Sequence, residues 1–441
     1  MTALLAPGFR MLPFWWDAAE PGLREDPCPD RTEIAIIGGG YAGLSAACTL
    51  RRLGHAVVVL DAERIGWGAS SRNGGMVSGR APVAGDVLER RFGAAHAAAI
   101  GQACAGAFPF IEALIAREAI DCDYVRCGRF TGAYTPRQFA AQQAGAAQMM
   151  ATTGDAVRVV PKSAQREVIG SDFYFGGLQW DATGSLHPGK YARGLAAAAA
   201  RAGACLVDRT RVTAIRPEGS GFRLSTDRFE LRADAVLTAT NGYSLGPGRQ
   251  AAMPWLARRL IPVASYLIAT EELPAETVSR LFPHQRMMGE TRRVLNYFRP
   301  SPDGRRVIWG GRASFREVSP LAAAPTLHRR MTQVFPELAT TRISHAWKGN
   351  VAFTFDHLPH IGVERGVHYA AGCQGSGVAM ASWLGHNAAL KLAGGNDRFA
   401  LDGLPFPGRP LYNGDPWWVL PVIGNYYRLR DALDRARSQG G

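Results

Sequence analysis

The sequence predicts an α/β fold: a Rossmann-like dinucleotide-binding domain interrupted by an inserted α+β domain, the inserted part built mainly on an antiparallel sheet. Three observations carry this expectation. An apolar run, Thr32–Ile37, opens into Gly38-Gly39-Gly40-Tyr41-Ala42-Gly43 and then into a helical stretch that stops at Gly54. A second apolar run, Ala56–Leu60, ends on Asp61 and completes a β-α-β unit. Elements of the same kind return in the middle of the chain, at Ala235–Ala239, and near its end, at Val367–Gly377. The nucleotide domain is therefore expected in three pieces, residues 30–80, 185–245 and 345–395. Residues 81–184 and 246–344 form the inserted substrate domain, and 396–441 a C-terminal extension.

The elements follow in order. Parallel strands such as Thr32–Ile37 and Ala56–Leu60 need cover on both faces, so helices must flank them. Tyr41–Leu53 supplies one, with Leu44, Ala47 and Leu50 on a common side. Ala94–Glu118 is Ala-rich and helical, Phe130–Tyr134 strand-like, and Thr135–Thr153 helical again. Tyr191–Ala202 is a helix and Cys205–Val207 a strand. Val212–Arg216, Phe222–Ser225 and Phe229–Arg232 alternate as a small meander before the buried strand Ala235–Ala239. Residues 262–313 are strand-rich, with Val307–Gly311 the clearest member. Val367–Ala370 is a short strand, Val378–Leu392 a helix, and Tyr426–Arg437 a polar helix.

Composition narrows the partners. The chain has 441 residues, 47% of them hydrophobic, which suits a folded protein of two or three domains. The formal charge of +13 is carried almost wholly by arginine, with four lysines, Lys162, Lys190, Lys348 and Lys391. These arginines are interleaved with acids rather than gathered in a stripe, so no nucleic-acid partner is expected. Seven cysteines, Cys28 to Cys373, show neither a disulfide framework nor metal-ligand spacing. They suggest a reducing, cytoplasmic setting and no metal. The start lacks the pattern of a secretory signal. No run of about eighteen apolar residues stands out, so no spanning helix is expected. The stretch Trp417-Trp418-Val419-Leu420-Pro421-Val422-Ile423 either clamps back on the body or touches a membrane surface weakly.

The motifs point to a long ligand. Gly38 permits a tight turn, Gly40 lets a pyrophosphate approach the backbone, and Gly43 lets the helix lie against the strand. The helix N-terminus, at Ala42, offers free N–H groups to an anion. Asp61 can accept hydrogen bonds from ribose hydroxyls. A second glycine-rich loop, Gly66–Gly75 (GWGASSRNGG), follows almost at once. A nicotinamide has no standing need for it, whereas a flavin ring extends beyond its phosphates and needs backbone lying flat against it. Ser70 or Ser71 can bond phosphate, and Arg72 and Asn73 can donate to ring or phosphate oxygens. Gly74 and Gly75 allow the close approach. Val212 suits the adenine, Gly242 a further backbone contact. Gly375, Ser376, Gly377 and Val378 open a late helix whose N-terminus can stabilise negative charge on a reduced ring.

Together GGGYAG, Asp61, GWGASSRNGG, LHPGKYARGL, ADAVLTATNG and GCQGSGVA resemble the D-amino acid oxidase superfamily of flavoproteins. Within it, the loop GASSRNGG and Phe353–Gly362 (FTFDHLPHIG) are most similar to γ-glutamylputrescine oxidoreductase-type enzymes. The resemblance spans about residues 30–395. It implies FAD, held non-covalently, and oxidation of a C–N bond in an amine or amino acid, a small-molecule substrate. The subgroup's late loop usually reads aromatic-Ser-Gly-His-Gly, and here Cys373, Gln374 and Ser376 replace its side chains while both glycines remain. Sarcosine oxidases link FAD through a cysteine at a place that falls near Val351 here, so no such link is expected.

Such chemistry needs orientation more than acid–base machinery. Tyr297 and His357 are the candidates to line the substrate side. Arg292, Arg293, Arg299 and Arg312 crowd the same domain and suggest a carboxylate or amide on the substrate. Two alternatives stay open: a flavin-binding regulatory protein without turnover, and a dehydrogenase of the same fold that avoids oxygen.

Overall fold

In the computed structural model, residues 4–23, 26–153, 156–246, 248, 250–395, 398–417 and 419–439 are described. Two large sheets organise them. The first sets Arg31–Ile37 between Glu230–Thr238 and Val57–Leu60, all parallel, with Cys205–Val207 beyond. Alternate side chains of these strands enter two separate cores. Ile34, Ile36, Val57 and Val59 face the helices Tyr41–Arg52, Pro188–Arg201 and Gly377–Leu392. Ala35, Ile37, Val58 and Leu60 face the meander Val212–Glu218 and Gly221–Thr226. Burial on both faces is what the uninterrupted apolar runs require. Phe229–Arg232 and Ala235–Ala239 are one strand, Glu230–Thr238, because the strand pairs with the meander first and with Arg31–Ile37 along its length.

The second sheet has nine strands and is mainly antiparallel. Leu260–Thr270 lies near one end, followed by Val307–Gly311, Asn296–Pro300, Met287–Glu290 and Arg129–Gly132. Its far face packs on helix Pro320–Val334, with Phe298 and Trp309 stacked at 4.1 Å between centroids.

Several boundaries differ from expectation. Ile343–Thr354 belongs to the nine-stranded sheet, since it pairs with Leu260–Thr270 over nearly its full length. From residue 345 onward this strand lies within the 345–395 piece expected for the nucleotide domain. Leu5–Arg10 adds a parallel edge strand to the same sheet. The stretch Ala94–Glu118 is two helices, Ala94–Ala105 and Ala107–Arg117, meeting at Gly106. Both pack into the nucleotide-side core rather than on the substrate sheet.

By length and composition alone, the joined stretch Ala94–Arg117 is apolar enough to cross a bilayer. Here it is a core element: Trp383 of helix Gly377–Leu392 donates to the Ala103 carbonyl at 2.7 Å, and Phe110 stacks on His386. The last helix, Val419–Gln439, begins seven residues before Tyr426 and folds back on the substrate sheet. Its Asp431 accepts from the Val294 amide at 3.0 Å, and its Arg428 donates to the Ala313 carbonyl. Trp417 is exposed, and Trp418 lies outside the described residues.

Candidate active site

A cavity of about 810 Å³ lies between the two sheets. Gly38, Gly40 and Ala42 line it where the first strand turns into its helix. Gly38 needs its positive φ of 107°, and a Cβ there would meet the Ala239 carbonyl oxygen at 2.9 Å. Gly43 is outside the cavity wall. A side chain on it would collide with the Gly38 carbonyl, so it serves the helix–strand contact. Asp61 lines the cavity, with Oδ2 accepting from the Gly39 amide at 2.8 Å and Oδ1 from Glu63 at 2.9 Å. Burial raises its pKa to about 7, against the pull of those two amides. Val212 lines the same end.

The loop Gly66–Gly75 is used differently from the reading of its sequence. Ser70 lines the cavity and its Oγ accepts from the Tyr41 amide at 3.0 Å, at the first turn of the helix. Ser71 is fully buried away from the cavity, where its Oγ accepts from the Trp16 indole at 2.9 Å. Asn73 lines the cavity, but its amide closes the loop itself, donating to Ser70 and Ala69 carbonyls and accepting from the Gly75 amide at 2.8 Å. Gly75 also lies outside the wall, since its Cβ position is filled by the Leu186 carbonyl. Gly74 alone of that pair lines the cavity, facing the Tyr297 ring. Arg72 lines it too, its guanidinium lying 4.1 Å from the Trp67 ring and 4.6 Å from Trp16. Arg72 Nε donates to the Trp67 carbonyl at 2.8 Å.

The remaining backbone segments converge on the same space. Gly242 lines it, backed by the Asn350 carbonyl. Gly375, Ser376, Gly377 and Val378 line it at the start of helix Gly377–Leu392. Asn241 ties these two turns together. Its Oδ1 accepts from the Gly372 amide at 2.9 Å, and its Nδ2 donates to Cys373 Sγ at 3.2 Å. Cys373 is buried, which holds its thiol protonated.

On the opposite wall, the nine-stranded sheet presents Val263, Ser265, Leu267 and Tyr297. The Tyr297 hydroxyl hydrogen-bonds Ser265 at 3.0 Å, and its ring fills the space over Gly310. Burial pushes its pKa up to about 12. Arg312 lines the cavity beside it and rests on the Phe353 ring at 4.6 Å.

His357 is not in the cavity wall. It sits exposed, with φ of 61°, at the tip of the turn after Ile343–Thr354. The turn is closed by Thr354 and Asp356 accepting from the Leu358 amide, and this turns the His357 side chain outward. The buried histidine of that motif is His360, bonded to Asp356 at 3.1 Å and stacked on Phe406. Arg292 and Arg293 line the cavity but are paired with acids, Arg292 with Glu290 and Arg293 with Asp431 and Asp434, while Arg299 lies outside the wall and donates to the Leu186 carbonyl. Arg129 lines the cavity and had no signal in its local sequence.

Cofactor turns on one wall and an antiparallel sheet on the other define a flavoprotein oxidoreductase. The chain belongs to the D-amino acid oxidase (DAO) family of FAD dependent oxidoreductases, which it matches over residues 33–390. It is 30% identical over 436 residues to the probable oxidoreductase OrdL of Rhizobium meliloti (strain 1021), covering 97% of this chain and 98% of that one. It is also 30% identical over 406 residues to the gamma-glutamylputrescine oxidoreductase of Escherichia coli (strain K12), covering 91% and 93%. The crystal structure of glycine oxidase from Geobacillus kaustophilus shares the fold, with a TM-score of 0.71 at 23% identity over 87% of this chain and 99% of that one. FAD is the family's cofactor, and the cavity suits it. A Cβ on Gly375 would meet only Val351, at 3.9 Å, and one on Gly40 only the Ser70 hydroxyl, so both open onto the cavity.

Proposed function

We propose that the chain oxidises a primary or secondary amine, or amino acid, to an imine that water hydrolyses to a carbonyl product. FAD, when bound, supplies the acceptor for the hydride leaving the carbon beside the nitrogen. The chain's own residues bind, orient and exclude water. Asp61, Gly38 and Ser70 hold the nucleotide end, and the helix end at Gly377–Val378 favours negative charge beside the ring. The Tyr297 phenol, kept neutral, donates or accepts one hydrogen bond at the substrate wall. The observation that carries the reading is Arg312, a half-buried cation in the cavity wall with no acid among the described residues in ion-pair contact. It suits a substrate carboxylate. The gamma-glutamylputrescine oxidoreductase and glycine oxidase names of the relatives support an amine substrate.

The FAD is non-covalent in this reading. Val351 stands in the cavity wall, and Cys373 is the cysteine there, protonated and bonded to Asn241. Acid precipitation should leave the yellow colour in the supernatant, and colour in the pellet would refute the claim. Seven unpaired cysteines support a reducing compartment, the cytoplasm. The function itself is tested by mixing holoenzyme anaerobically with amino acids, N-alkyl amino acids, polyamines and 2-hydroxy acids and following flavin absorbance. Bleaching by amines is expected. Bleaching by hydroxy acids alone would overturn the reading. Amine bleaching without peroxide in air would make the protein a dehydrogenase.

A further inference from the structure

The substrate sheet carries a second cation that the reading above leaves unused. Arg129 opens strand Arg129–Gly132 and pairs in register with Met287, two residues before Gly289. Its guanidinium runs along the cavity side of the sheet over Gly289, where a Cβ would collide with it. Gly289 is in turn the register partner of Tyr297, and Tyr297 pairs on its other side with Gly310. Two glycines thus clear one face of the sheet, one for the arginine and one for the phenol. Tyr297 stands between Arg129 on one side and Arg312 on the other.

Among the described residues Arg129 has no counter-ion. Its Nε is buried and has no hydrogen-bond partner among them. The charged group closest in effect is another cation, Arg80, and the two guanidiniums lie 5.5 and 5.4 Å from the same Trp180 ring. Desolvation lowers the Arg129 pKa only to about 10, so it stays charged at neutral pH. Neighbouring arginines of the same sheet region do have acids: Arg292 binds Glu290 through two bonds of 2.6 and 2.8 Å, and Arg286 binds Asp181 at 2.8 Å. An uncompensated cation in a cavity wall is costly, and a ligand anion relieves that cost.

We infer that Arg129 forms a second anion subsite across Tyr297 from Arg312, and that the substrate is an amine bearing two acid groups, one toward each arginine. This inference rests on the amine-oxidation reading for the word amine, and on the sheet geometry alone for the two acids. Arg129 acts here in substrate selection and takes no part in the redox step.

The test uses holoenzyme and inert acids of matched length: butyrate with succinate, pentanoate with glutarate, hexanoate with adipate. Each is titrated while the visible flavin spectrum is followed. At least one diacid should bind tenfold or more tighter than its monoacid. Arg129→Gln should reduce that advantage to within twofold, leaving monoacid binding and FAD content unchanged. Gly289→Ala, which displaces the guanidinium without removing it, should have the same selective effect. No diacid preference in the unmodified holoenzyme, at any length, overturns the subsite. So does a preference that survives Arg129→Gln. Should either variant fail to hold FAD, the comparison on unmodified enzyme still decides. Diacid preference in a protein that no amine bleaches would keep the subsite and sink the amine reading. Bleaching by monocarboxylated amines without diacid preference would do the reverse.

Discussion

The indole of Trp347 donates to the carbonyl oxygen of Arg72 at 2.8 Å. Trp15 does the same for Asn73 at 2.8 Å, and Trp16 donates to the Ser71 hydroxyl. Three tryptophans, two from the N-terminal segment and one from the substrate sheet, therefore grip three consecutive residues of the loop that faces the cavity. Trp347→Phe keeps most of the packing and removes one hydrogen bond worth about 1 kcal/mol. FAD should bind roughly fivefold more weakly, and more weakly still in the Trp15→Phe/Trp347→Phe double variant. Flavin fluorescence on dilution measures this. Unchanged affinity in the double variant would mean that Asn73 alone holds the loop.

Asp61 should make cofactor affinity pH-dependent. Its pKa in the apoprotein is raised from the usual 3.8 to about 7. A raised carboxyl pKa means that the folded apoprotein binds more protons than the unfolded chain between those values. Apoprotein stability should therefore fall as pH rises from about 4 to about 7. Ribose hydroxyls are served by the ionised form, so FAD affinity should rise across the upper part of the same window. Asp61→Asn should flatten both curves. A wild-type FAD binding curve that is level between pH 5 and 8 would remove Asp61 from the ribose.

Tyr297→Phe removes the hydroxyl bonded to Ser265 and leaves the ring over Gly310. The flavin spectrum should not change, and turnover should fall by about tenfold, the worth of a hydrogen bond of about 1.4 kcal/mol. The phenol's pKa, near 12, predicts no break in the wild-type rate profile around pH 10 that this variant abolishes. A loss of turnover beyond a thousandfold would give the hydroxyl a part in proton transfer.

Arg312→Gln should raise KM for carboxylated amines by ten- to a hundredfold, since a hydrogen-bonded charge is worth about 1.5–3 kcal/mol. Amines without an acid group should be affected little. Steady-state rates for matched pairs of amines separate the two cases, and equal losses for both classes would mean that Arg312 supports the wall rather than the ligand.

Asp431 holds the cavity-side segment 292–295 from the last helix, accepting from the Arg293 and Val294 amides and from the Arg293 side chain. Asp431→Ala should loosen that segment, raise KM several-fold and increase cleavage near Arg293 in limited trypsin digests, with FAD content retained. Unchanged digestion would show that Arg435, bonded to the Phe173 carbonyl, suffices to hold the helix down.

The nucleotide half of this site was legible because its signals are local. Gly38, Gly40 and Asp61 lie within one short β-α-β unit, where strand, turn and helix fix each other. The loop Ser70–Gly75 was legible as a contact but not residue by residue. Its residue types suit phosphate and flavin equally well as they suit Trp16, Leu186 and the loop's own carbonyls, and the choice is made by segments far away in sequence. The same holds for Arg129. Nothing in its flanking residues marks it, and its meaning comes from a sheet register linking residues 129, 289 and 297. His357 misled because it neighbours the buried pair Asp356 and His360, and one residue's shift in a turn reverses which side chain points inward.

The cavity wall draws on the chain from Ile37 to Leu384, and Asn241 joins the middle segment to the late one. During synthesis this means that the cofactor has nothing complete to bind until the segment through Leu384 has left the ribosome. The strand Arg31–Ile37 emerges early with both faces apolar, and one of its parallel neighbours, Glu230–Thr238, follows only some two hundred residues later. Cofactor capture thus waits on that late segment. Chains interrupted before it should accumulate colourless and exposed to proteolysis, so that colour per chain reads out how many have passed that point.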